Sequence, residues 1–504
     1  MRILGLSFGF HDAGACMLDF KNIEFASHSE RYSKVKNDPW INHDLIDAAI
    51  EKGKPDVIVL HEKAWAKRIR NLLNSNFRAL REPTQRQWIK KFYPQLQDIP
   101  IKDYWHHETH AAAGVLSSNF NECAVMVIDA IGEFNTATIW KWKDGNLKKL
   151  HSVNFPSSLG LFYSAVTSHV GLKPMEDEYI LMGMAAYGKQ ENWKPLSRKM
   201  GKKFFKYKHP WISHRQTIDG IYNLQRGLPK NSFIGVDEFD MAAAAQNQVE
   251  QRVKAFAQYA KEITGSNNLV YMGGVALNCV ANSKLFDIFK NIFIMPNPGD
   301  CGSSLGAAAL ELYNQTGEKI DWKTPYTGHN IPGKYPIKKA LASLKAGELF
   351  GIANGKAEFG PRALGNRSLC ADPRGPDVKD KMNVIKKRQK FRPFAPMILE
   401  EHVHDYFEMP GGITHAPYMQ FVAKCKNPEE FPAIIHEDGT SRVQTVRKEE
   451  HPDLHNLLSK FYKQTGCPML LNTSLNIKGQ PIVNDEKDAE AFAQHYGVKV
   501  HVRD

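Results

Sequence analysis

The sequence lacks the features that define several classes of protein. Its seven cysteines are scattered and form no Cys-x-x-Cys pair, which argues against a disulfide framework or a zinc knuckle and for a reducing compartment. No apolar run reaches the length that a membrane helix needs. The opening segment, "MRILGLSFGFHDAGACML", breaks its short apolar run at His11 and Asp12, so it predicts a first strand and not a signal peptide. We therefore expect a cytoplasmic protein without membrane segments.

Positive charge is concentrated in two windows of the sequence. The formal net charge is +12. Residues 63–94 contain nine Lys/Arg and one acidic residue, and residues 192–218 contain eight Lys/Arg and no acidic residue. The two windows therefore carry +16 and the remaining sequence −4. Such clustering is typical of a surface that binds a polyanion.

Aromatic residues are interleaved with these cations. They are Trp65, Phe77, Trp88, Phe92 and Tyr93 in the first window and Trp193, Phe204, Phe205, Tyr207 and Trp211 in the second. Cations for phosphates and rings for base stacking indicate a nucleic-acid surface. The alternative is a solvated basic face whose aromatic side chains anchor helices to the core.

Two stretches predict similar β-hairpins with a polar loop between the strands. They cover residues 1–20 and 124–141, and the first strand of the second hairpin ends at Asp129. The repetition favours a duplicated α/β domain, although two unrelated hairpins would give the same pattern.

Glycine-rich turns occur later in the chain. After a helical pattern over residues 241–264, "NNLVYMGGVALNCVANSKL" predicts a strand, a turn at Gly273-Gly274 and a helix that begins near Asn278. Such turns let backbone N–H groups approach a phosphate, but many α/β turns contain two glycines. "NIFIMPNPGDCGSSLGAAAL" repeats the plan with Asp300 before a helix. A linker over residues 327–334 predicts a domain boundary near residue 330.

The segment "WHHETHAAAG" places His106 and His110 four residues apart. This spacing puts both rings on one face of a helix and His107 on another. A metal site would need further ligands from elsewhere, so the spacing is equally compatible with ordinary helix side chains.

The C-terminal part is rich in cations that lie within apolar sequence. The cations are Lys356, Arg362, Arg367, Arg374, Lys386, Lys387, Arg388, Arg392 and Arg442. Two polar residues, Asn472 and Ser474, follow them. Guanidinium, ammonium, hydroxyl and glycine-rich backbone groups are typical of phosphate or carboxylate sites. Burying several cations is costly, so an anionic ligand is favoured over a solvated basic face.

Ten motifs in order give the chain a resemblance to a known family. They are "FHDAGA", "WHHETHAAA", "IDAIGE", "MGMAAYG", "GGVALNCVAN", "GDCGSSLGAA", "GPRALGNRS", "FRPFAP", "DGTSRVQTV" and "LNTSLN". The sequence resembles the O-carbamoyltransferases of nodulation factors and antibiotics from Ile3 to about Val483. The resemblance implies an α/β fold with a duplicated actin–hexokinase-type (ASKHA) domain over residues 1–330. A YrdC-like α/β domain over residues 331–504 would follow it.

The resemblance also implies a reaction. The C-terminal domain would form carbamoyl-adenylate from the co-substrates carbamoyl phosphate and ATP, with Mg²⁺ accompanying ATP. The N-terminal domain would transfer the carbamoyl group to an acceptor hydroxyl. By motif match, the metal ligands would be His106, His110, Asp129 and Asp300, with iron(II) expected, although this donor set suits several divalent metals.

Further roles follow from the same motifs. Nucleotide-binding residues would be Gly273, Gly274 and Asn278. The carbamoyl phosphate and the adenylate would be bound by Arg362, Lys387, Arg442, Asn472 and Ser474, of which Lys387 and Arg442 would also be catalytic by neutralising phosphate charge. His11 and Asp12 are candidates to deprotonate the acceptor, although Asp12 suits a turn cap equally well. The sequence departs from the family's pattern at Ala130, which replaces a glycine, and at Ile180, which replaces a lysine.

The two basic windows favour DNA as the partner, with 5-hydroxymethylcytosine as the acceptor base. An enzyme that acts on a base in a duplex must extrude it. The alternatives are a sugar, a nucleotide or an antibiotic as acceptor, a tRNA threonylcarbamoyl-type transfer, and a non-catalytic ATP-binding protein that docks on DNA.

Overall fold

A computed structural model describes residues 1–73, 77, 81–205, 224, 227–228 and 232–504. These residues form a mixed α/β fold in two units. The first unit comprises Met1–His11, Met17–Asn22 and Gly53–Asp321, and the second comprises Asp12–Cys16, Ile23–Lys52 and Trp322–Asp504. The main division lies close to the predicted boundary near residue 330. The second unit also includes N-terminal residues, so the domains 1–330 and 331–504 stay a prediction.

The strands of the described residues are, in chain order, β1 (Arg2–Ser7), β2 (Gly14–Asp19), β3 (Asn22–His28), β4 (Val57–Leu60), β5 (Ile101–Asp103), β6 (Glu122–Ile128), β7 (Asn135–Lys143), β8 (Asn146–Asn154), β9 (Asn268–Met272), β10 (Asn291–Phe293), β11 (Tyr326–Ile331), β12 (Phe350–Ala353), β13 (Gly355–Glu358), β14 (Arg367–Ala371), β15 (Ala395–Leu399), β16 (Phe407–Glu408), β17 (Val422–Cys425), β18 (Thr440–Arg442), β19 (Gln444–Val446), β20 (Met469–Ser474) and β21 (Lys499–His501).

The α-helices of the same residues are α1 (Glu30–Ser33), α2 (His43–Ile50), α3 (Ala64–Leu73), α4 (Gln85–Phe92), α5 (His106–Ser117), α6 (Leu159–His169), α7 (Glu178–Met184), α8 (Gln190–Phe204), α9 (Glu238–Thr264), α10 (Cys279–Ser283), α11 (Ser303–Thr316), α12 (Ile337–Lys345), α13 (Val378–Lys386), α14 (Val403–Tyr406), α15 (Pro452–Thr465) and α16 (Glu486–Tyr496).

The two predicted hairpins are found as β1 with β2 and as β6 with β7, and Asp12–Cys16 of the first hairpin is assigned to the second unit. Strand β1 neighbours β2 on one side and pairs in parallel with β4 on the other, and β4 pairs in parallel with β5. A second sheet has the order β10-β9-β6-β7-β8. Within it, β6 pairs antiparallel with β7, with Val125 opposite Trp140, and in parallel with β9. Both hairpins are confirmed, and the parallel pairs place the carboxyl ends of β6 and β9 at one sheet edge.

Helix α9, predicted over residues 241–264, is found over Glu238–Thr264 because its ends are fixed by capping groups. The Asp237 carboxylate accepts hydrogen bonds from two N–H groups of the first turn. At the other end, Gly265 is left-handed (φ 68°), and its N–H donates to the carbonyl of Lys261.

Small residues let α5 and α11 approach each other closely. A Cβ atom on Gly306 of α11 would lie 1.9 Å from the carbonyl oxygen of Thr109 on α5. A Cβ atom on Gly114 of α5 would lie 2.4 Å from the Val270 side chain on β9. Any larger residue at these glycines would force the elements apart, so the close packing of α5 with α11 and with β9 requires glycine there.

The second unit is built around a six-stranded sheet with the order β19-β15-β20-β14-β12-β21. Strand β20 is central and pairs antiparallel with β14, where Ser474 faces Ser368, and with β15, where Asn472 faces Ala395. A two-stranded sheet (β11-β13) and a three-stranded sheet (β16-β17-β18) complete this unit. The predicted helix over residues 337–344 and strand over residues 349–353 are found as α12 and β12.

The structure corrects part of the predicted nucleic-acid surface. Tyr93, Phe204 and Phe205 are at most 2% exposed, so they are core residues and cannot stack on bases from the surface. Trp65 and Phe77 are exposed, by 55% and 65%. The predicted Tyr207 and Trp211 lie outside the described residues.

In the described part of the chain, no helix combines the length and the apolar character that crossing a membrane requires.

Candidate active site

Four predicted metal ligands meet in the first unit. His106 and His110 lie on the first turns of α5, Asp129 directly follows β6, and Asp300 opens the short helix Asp300–Gly302 that precedes α11. Two helix starts and one strand end thus converge. The structure brings together the four residues that motif matching predicted.

The donor atoms of these residues are evenly spaced. The Nε2 atoms of His106 and His110 lie 3.1 Å apart. Asp129 Oδ2 lies 3.3 Å from the first of these nitrogens and 3.1 Å from the second. Asp300 Oδ1 lies 3.4 Å and 3.3 Å from the same two nitrogens. We call these four residues the His–Asp cluster.

The His–Asp cluster fits a divalent metal ion. Donor atoms that lie 3.1–3.4 Å apart have the separation expected between two ligands of one tetrahedral first-row metal ion with bonds of about 2.0 Å. The four residues are at most 4% exposed. Within the described residues, the Nδ1 atoms of both histidines are buried and make no hydrogen bond. Two neutral imidazoles and two carboxylates would balance a charge of +2.

The charges of the cluster shift the pKa values of its members. Burial opposes the charged form of every member. Asp300 and Asp129 nevertheless raise the pKa of His106 well above its ordinary value, and the same carboxylates raise the pKa of His110. The histidines in turn lower the pKa of both carboxyls despite burial. The histidines thus stabilise the charge of the carboxylates, and the carboxylates stabilise the charge of the histidines.

His107 is excluded from the cluster, as predicted. Its Nδ1 atom lies 3.0 Å from the Thr138 hydroxyl on β7. Glu133, which the sequence did not single out, holds the start of α5 because its carboxylate accepts hydrogen bonds from the backbone N–H groups of His106 and Lys63. Glu133 lies in the motif "IDAIGE", four residues after Asp129 in the sequence. This closeness to a predicted ligand was the one sequence feature that could have indicated it.

The two candidate bases have different surroundings. His11 Nε2 lies 3.6 Å from Asp300 Oδ2, and the His11 side chain is 25% exposed. It therefore adjoins the His–Asp cluster within the first unit. Asp12 belongs to the second unit, has a left-handed backbone (φ 52°), and its Oδ1 atom lies 3.0 Å from Nδ1 of His28. These contacts favour His11 over Asp12 as a group near the cluster.

The predicted glycine turn lies beside the cluster. Gly273 has a φ of 92°, and a Cβ atom there would lie 2.2 Å from the carbonyl oxygen of Ile128. Its neighbour Gly274 directs its N–H toward Asp129 Oδ1 at 3.4 Å. Glycine is thus required at position 273, because a side chain would collide with the strand end that carries Asp129.

Asn278 is held by its own network. Its side-chain oxygen accepts a hydrogen bond from the Ala281 N–H, and its amide group pairs with Gln246 of α9 in both directions. The hydrogen bond to Ala281 caps α10.

Both departures from the family's pattern are accommodated. The Ala130 N–H donates to Asp129 Oδ1 at 2.7 Å. Ile180 is fully buried in α7, so an apolar side chain replaces the expected charge within the core.

In the second unit, two predicted residues lie on the central strand β20. The Asn472 side-chain amide donates to the Ala363 carbonyl and to Gln444 Oε1. Its own oxygen is buried and, within the described residues, accepts no hydrogen bond. Ser474 accepts a hydrogen bond from the buried ammonium group of Lys386, which also donates to Asn476.

Lys386 is among the C-terminal cations that the sequence indicated, but motif matching gave the binding role to its neighbour Lys387. Burial lowers its pKa well below the ordinary value, and Arg388 and Arg392 add to this effect. The predicted Lys387 is exposed, ends α13 in a left-handed conformation, and places its ammonium group 5.5 Å from the centre of the Tyr496 ring. The structure therefore brings Lys386, and not Lys387, to Ser474.

The two predicted arginines differ in their surroundings. Arg442 ends β18, and its Nε atom is buried and makes no hydrogen bond within the described residues. A buried donor of this kind suits an anionic ligand. Arg362 is partly exposed.

Comparisons with known proteins identify the family to which the chain belongs. The family model of the carbamoyltransferase N-terminus matches residues 2–309, and that of the carbamoyltransferase C-terminus matches residues 341–503. Nodulation protein NolO of Bradyrhizobium diazoefficiens is 34% identical over 76% of this chain and 75% of its own. A 3'-hydroxymethylcephem-O-carbamoyltransferase of Amycolatopsis lactamdurans is 26% identical over 97% of this chain and 95% of its own. Among solved structures, full-length HypF in the phosphate- and nucleotide-bound form aligns with 64% of this chain and 56% of its own, at 15% identity and a TM-score of 0.35.

Proposed function

Because the chain belongs to the carbamoyltransferase family and is an enzyme of that class, we propose that it transfers a carbamoyl group to an acceptor hydroxyl. Water would first release phosphate from carbamoyl phosphate to give carbamate. A carbamate oxygen would then bond to the α-phosphorus of ATP as the bond to pyrophosphate breaks, which forms carbamoyl-adenylate. In the transfer step, the hydroxyl oxygen bonds to the carbamoyl carbon, the bond from that carbon to AMP breaks, and the hydroxyl proton passes to a base. The His–Asp cluster is the observation that carries this proposal.

The cluster would hold a divalent metal ion, with iron(II) implied by the resemblance. Such an ion acts as a Lewis acid toward oxygen atoms that gain negative charge. The chain's own contribution is to orient the four donors, through the close contact of α5 with α11. It also keeps bulk water away by burial.

His11 is proposed as the base that receives the hydroxyl proton. Its imidazole is partly exposed and lies beside Asp300, so an acceptor from solvent could reach it. The carboxylate would stabilise the imidazolium that forms. Asp12, paired with His28, is the weaker candidate.

The second unit is proposed to activate the donor. Arg442 and Asn472 each have a buried polar atom that makes no hydrogen bond within the described residues, and Lys386 places a buried cation at Ser474. Together these groups would neutralise phosphate charge as the mixed anhydride forms. Arg362 and Lys387 are kept as further candidates on the motif match alone.

We assign the two steps of the reaction to two domains. The proposal places a duplicated actin–hexokinase-type domain in residues 1–330, supported by the two hairpins and the Gly273 turn. It places a YrdC-like domain in residues 331–504.

Two classes of acceptor are proposed. A small molecule with a hydroxymethyl group is favoured by the cephem-modifying relative, whose name specifies that group. A hydroxymethylated pyrimidine, such as 5-hydroxymethylcytosine in DNA, presents the same group. The exposed Trp65 and Phe77 in the first basic window support this second class.

One experiment tests both classes. The protein is incubated with ATP, carbamoyl phosphate and either a hydroxymethylcephem or hydroxymethylcytosine-containing DNA, and the acceptor is analysed by mass spectrometry. We expect one acceptor to gain the mass of a carbamoyl group and the Asp300→Asn variant to lose this activity. Gain by the cephem alone would reject DNA. Absence of carbamoyl-adenylate with every acceptor would reject the proposed reaction.

A further inference from the structure

A cavity of about 730 Å³ lies between α8 and α9 in the first unit. This volume is in the range of pockets that hold a small ligand. The lining residues do not include any member of the His–Asp cluster, Gly273, Gly274 or Asn278. The cavity is therefore distinct from the residues that are proposed to bind the metal and the nucleotide.

The rim of the cavity carries a row of cations. Lys194, Arg198 and Lys202 are exposed and follow one another at intervals of four residues along α8, so they share one helix face. Like charges at this spacing destabilise a helix. An anionic ligand would remove that repulsion.

The floor of the cavity is polar and ordered. Arg252 is only 4% exposed, and its Nη2 atom donates to Gln248 Oε1 at 3.2 Å. The Gln248 amide donates in turn to the hydroxyl and the carbonyl oxygen of Ser197. The guanidinium carbon of Arg252 lies 4.6 Å from the centre of the Phe205 ring, so the ring and the hydrogen bond to Gln248 together fix the position of the guanidinium group.

The electrostatics of the cavity are one-sided. Four cations line it, and none of its lining residues within the described ranges is acidic. Burial lowers the pKa of Arg252 to about 10, which leaves the guanidinium charged at neutral pH. Trp193 adds an aromatic surface next to Lys194.

We infer that the α8–α9 cavity binds a phosphate-bearing ligand of nucleotide type, with its phosphates on Arg198, Lys202 and Arg252 and its base on Trp193. Guanidinium and ammonium groups bind phosphate by charge-assisted hydrogen bonds, and an indole stacks on any base. The ligand is a free nucleotide or a nucleotide of a single strand, since both present the same chemistry.

Isothermal titration calorimetry tests this inference in the absence of ATP and carbamoyl phosphate. The probes are thymidine 3′,5′-bisphosphate and a thymidine hexanucleotide. The pocket variant is Arg198→Gln/Lys202→Gln. The matched control is Lys199→Gln/Lys203→Gln, which removes the same charge from the same helix at positions outside the cavity lining.

We expect the pocket variant to bind at least about tenfold more weakly than the wild type, because it loses two charge-assisted contacts, and the control to stay within about threefold. A similar loss for both probes, with a steeper salt dependence for the hexanucleotide, assigns the cavity to a nucleic-acid strand. Binding of the bisphosphate alone assigns it to a free nucleotide.

Absence of binding for both probes would overturn the inference, as would equal losses in the two variants. Thermal unfolding checks that both variants fold. Carbamoyl transfer plays no part in this measurement, so failure here would leave the proposed function intact.

Discussion

Replacing His110 with alanine distinguishes two interpretations of the His–Asp cluster, a metal site and a network of buried charges without a metal. His110 Nε2 takes part in the contacts to all three other donors of the cluster, at 3.1–3.3 Å. The substitution removes one of four donors and leaves two buried carboxylates beside a single imidazole. The remaining three donors would hold a metal ion much more weakly.

The size of the effect follows from the lost donor. Loss of a group that merely orients a ligand typically costs 10- to 100-fold in metal affinity, so we expect the loss of a ligand to cost at least about 100-fold. At a free metal concentration of about 100 times the wild-type Kd, bound metal stabilises the fold by about 2.7 kcal/mol. The same concentration would equal the Kd of the variant and stabilise it by only about 0.4 kcal/mol.

Urea unfolding with and without iron(II), under anaerobic conditions, measures this difference, and elemental analysis gives the metal content per chain. His107→Ala is the matched control because His107 is an equally buried histidine of the same helix that contacts Thr138 instead of the cluster. Equal metal-dependent stabilisation of wild type and His110→Ala would refute the assignment. Loss of metal by His107→Ala to the same extent would do so as well.

Three further predictions concern other parts of the chain. Lys386→Met should abolish formation of carbamoyl-adenylate, measured by ATP–pyrophosphate exchange, with Lys387→Met close to wild type; equal losses would contradict the preference for Lys386. The pKa of His415 is raised to about 9 against the effect of burial, chiefly by its hydrogen bond to Glu400. The stabilisation it contributes should therefore be complete below about pH 6.5 and be lost as the pH rises through 9. Urea unfolding of wild type and His415→Gln should show a difference at pH 6 that disappears at pH 10, and a constant difference would contradict this. Gly273→Ala should destabilise the fold by about 2 kcal/mol or more, well beyond Gly265→Ala, where a Cβ atom would meet open space; equal urea midpoints would argue against the clash.

The spacing in the sequence predicted that His106 and His110 share one face of a helix, but it did not predict the two carboxylates that complete the cluster. The four-residue interval of His106 and His110 determines that their rings share a helix face. Asp300 lies 190 residues from His110, and no local pattern relates them. Their meeting depends on the close packing of α5 with α11 at Gly306, so the carboxylates could be predicted only through the resemblance.

Two differences between the sequence predictions and the structure have local physical causes. Adjacent lysines at 386 and 387 are equivalent in sequence, but α13 ends between them. Lys386 contacts Ser474, whereas Lys387 has a left-handed backbone and places its ammonium group near the Tyr496 ring. Phe204 and Phe205 were assigned to the surface because cations surround them in sequence. Their burial shows that a basic helix uses aromatic side chains to anchor itself to the core.

The assignment of residues 23–52 to the second unit means that no single cut in the polypeptide separates the two units. Arg31, buried in this segment, donates a hydrogen bond to the Gly360 carbonyl more than three hundred residues later. A fragment that starts at Trp322 would lack Arg31, and the Gly360 carbonyl would lose this hydrogen bond. During synthesis, Arg31 therefore acquires this partner only after more than three hundred further residues have been added.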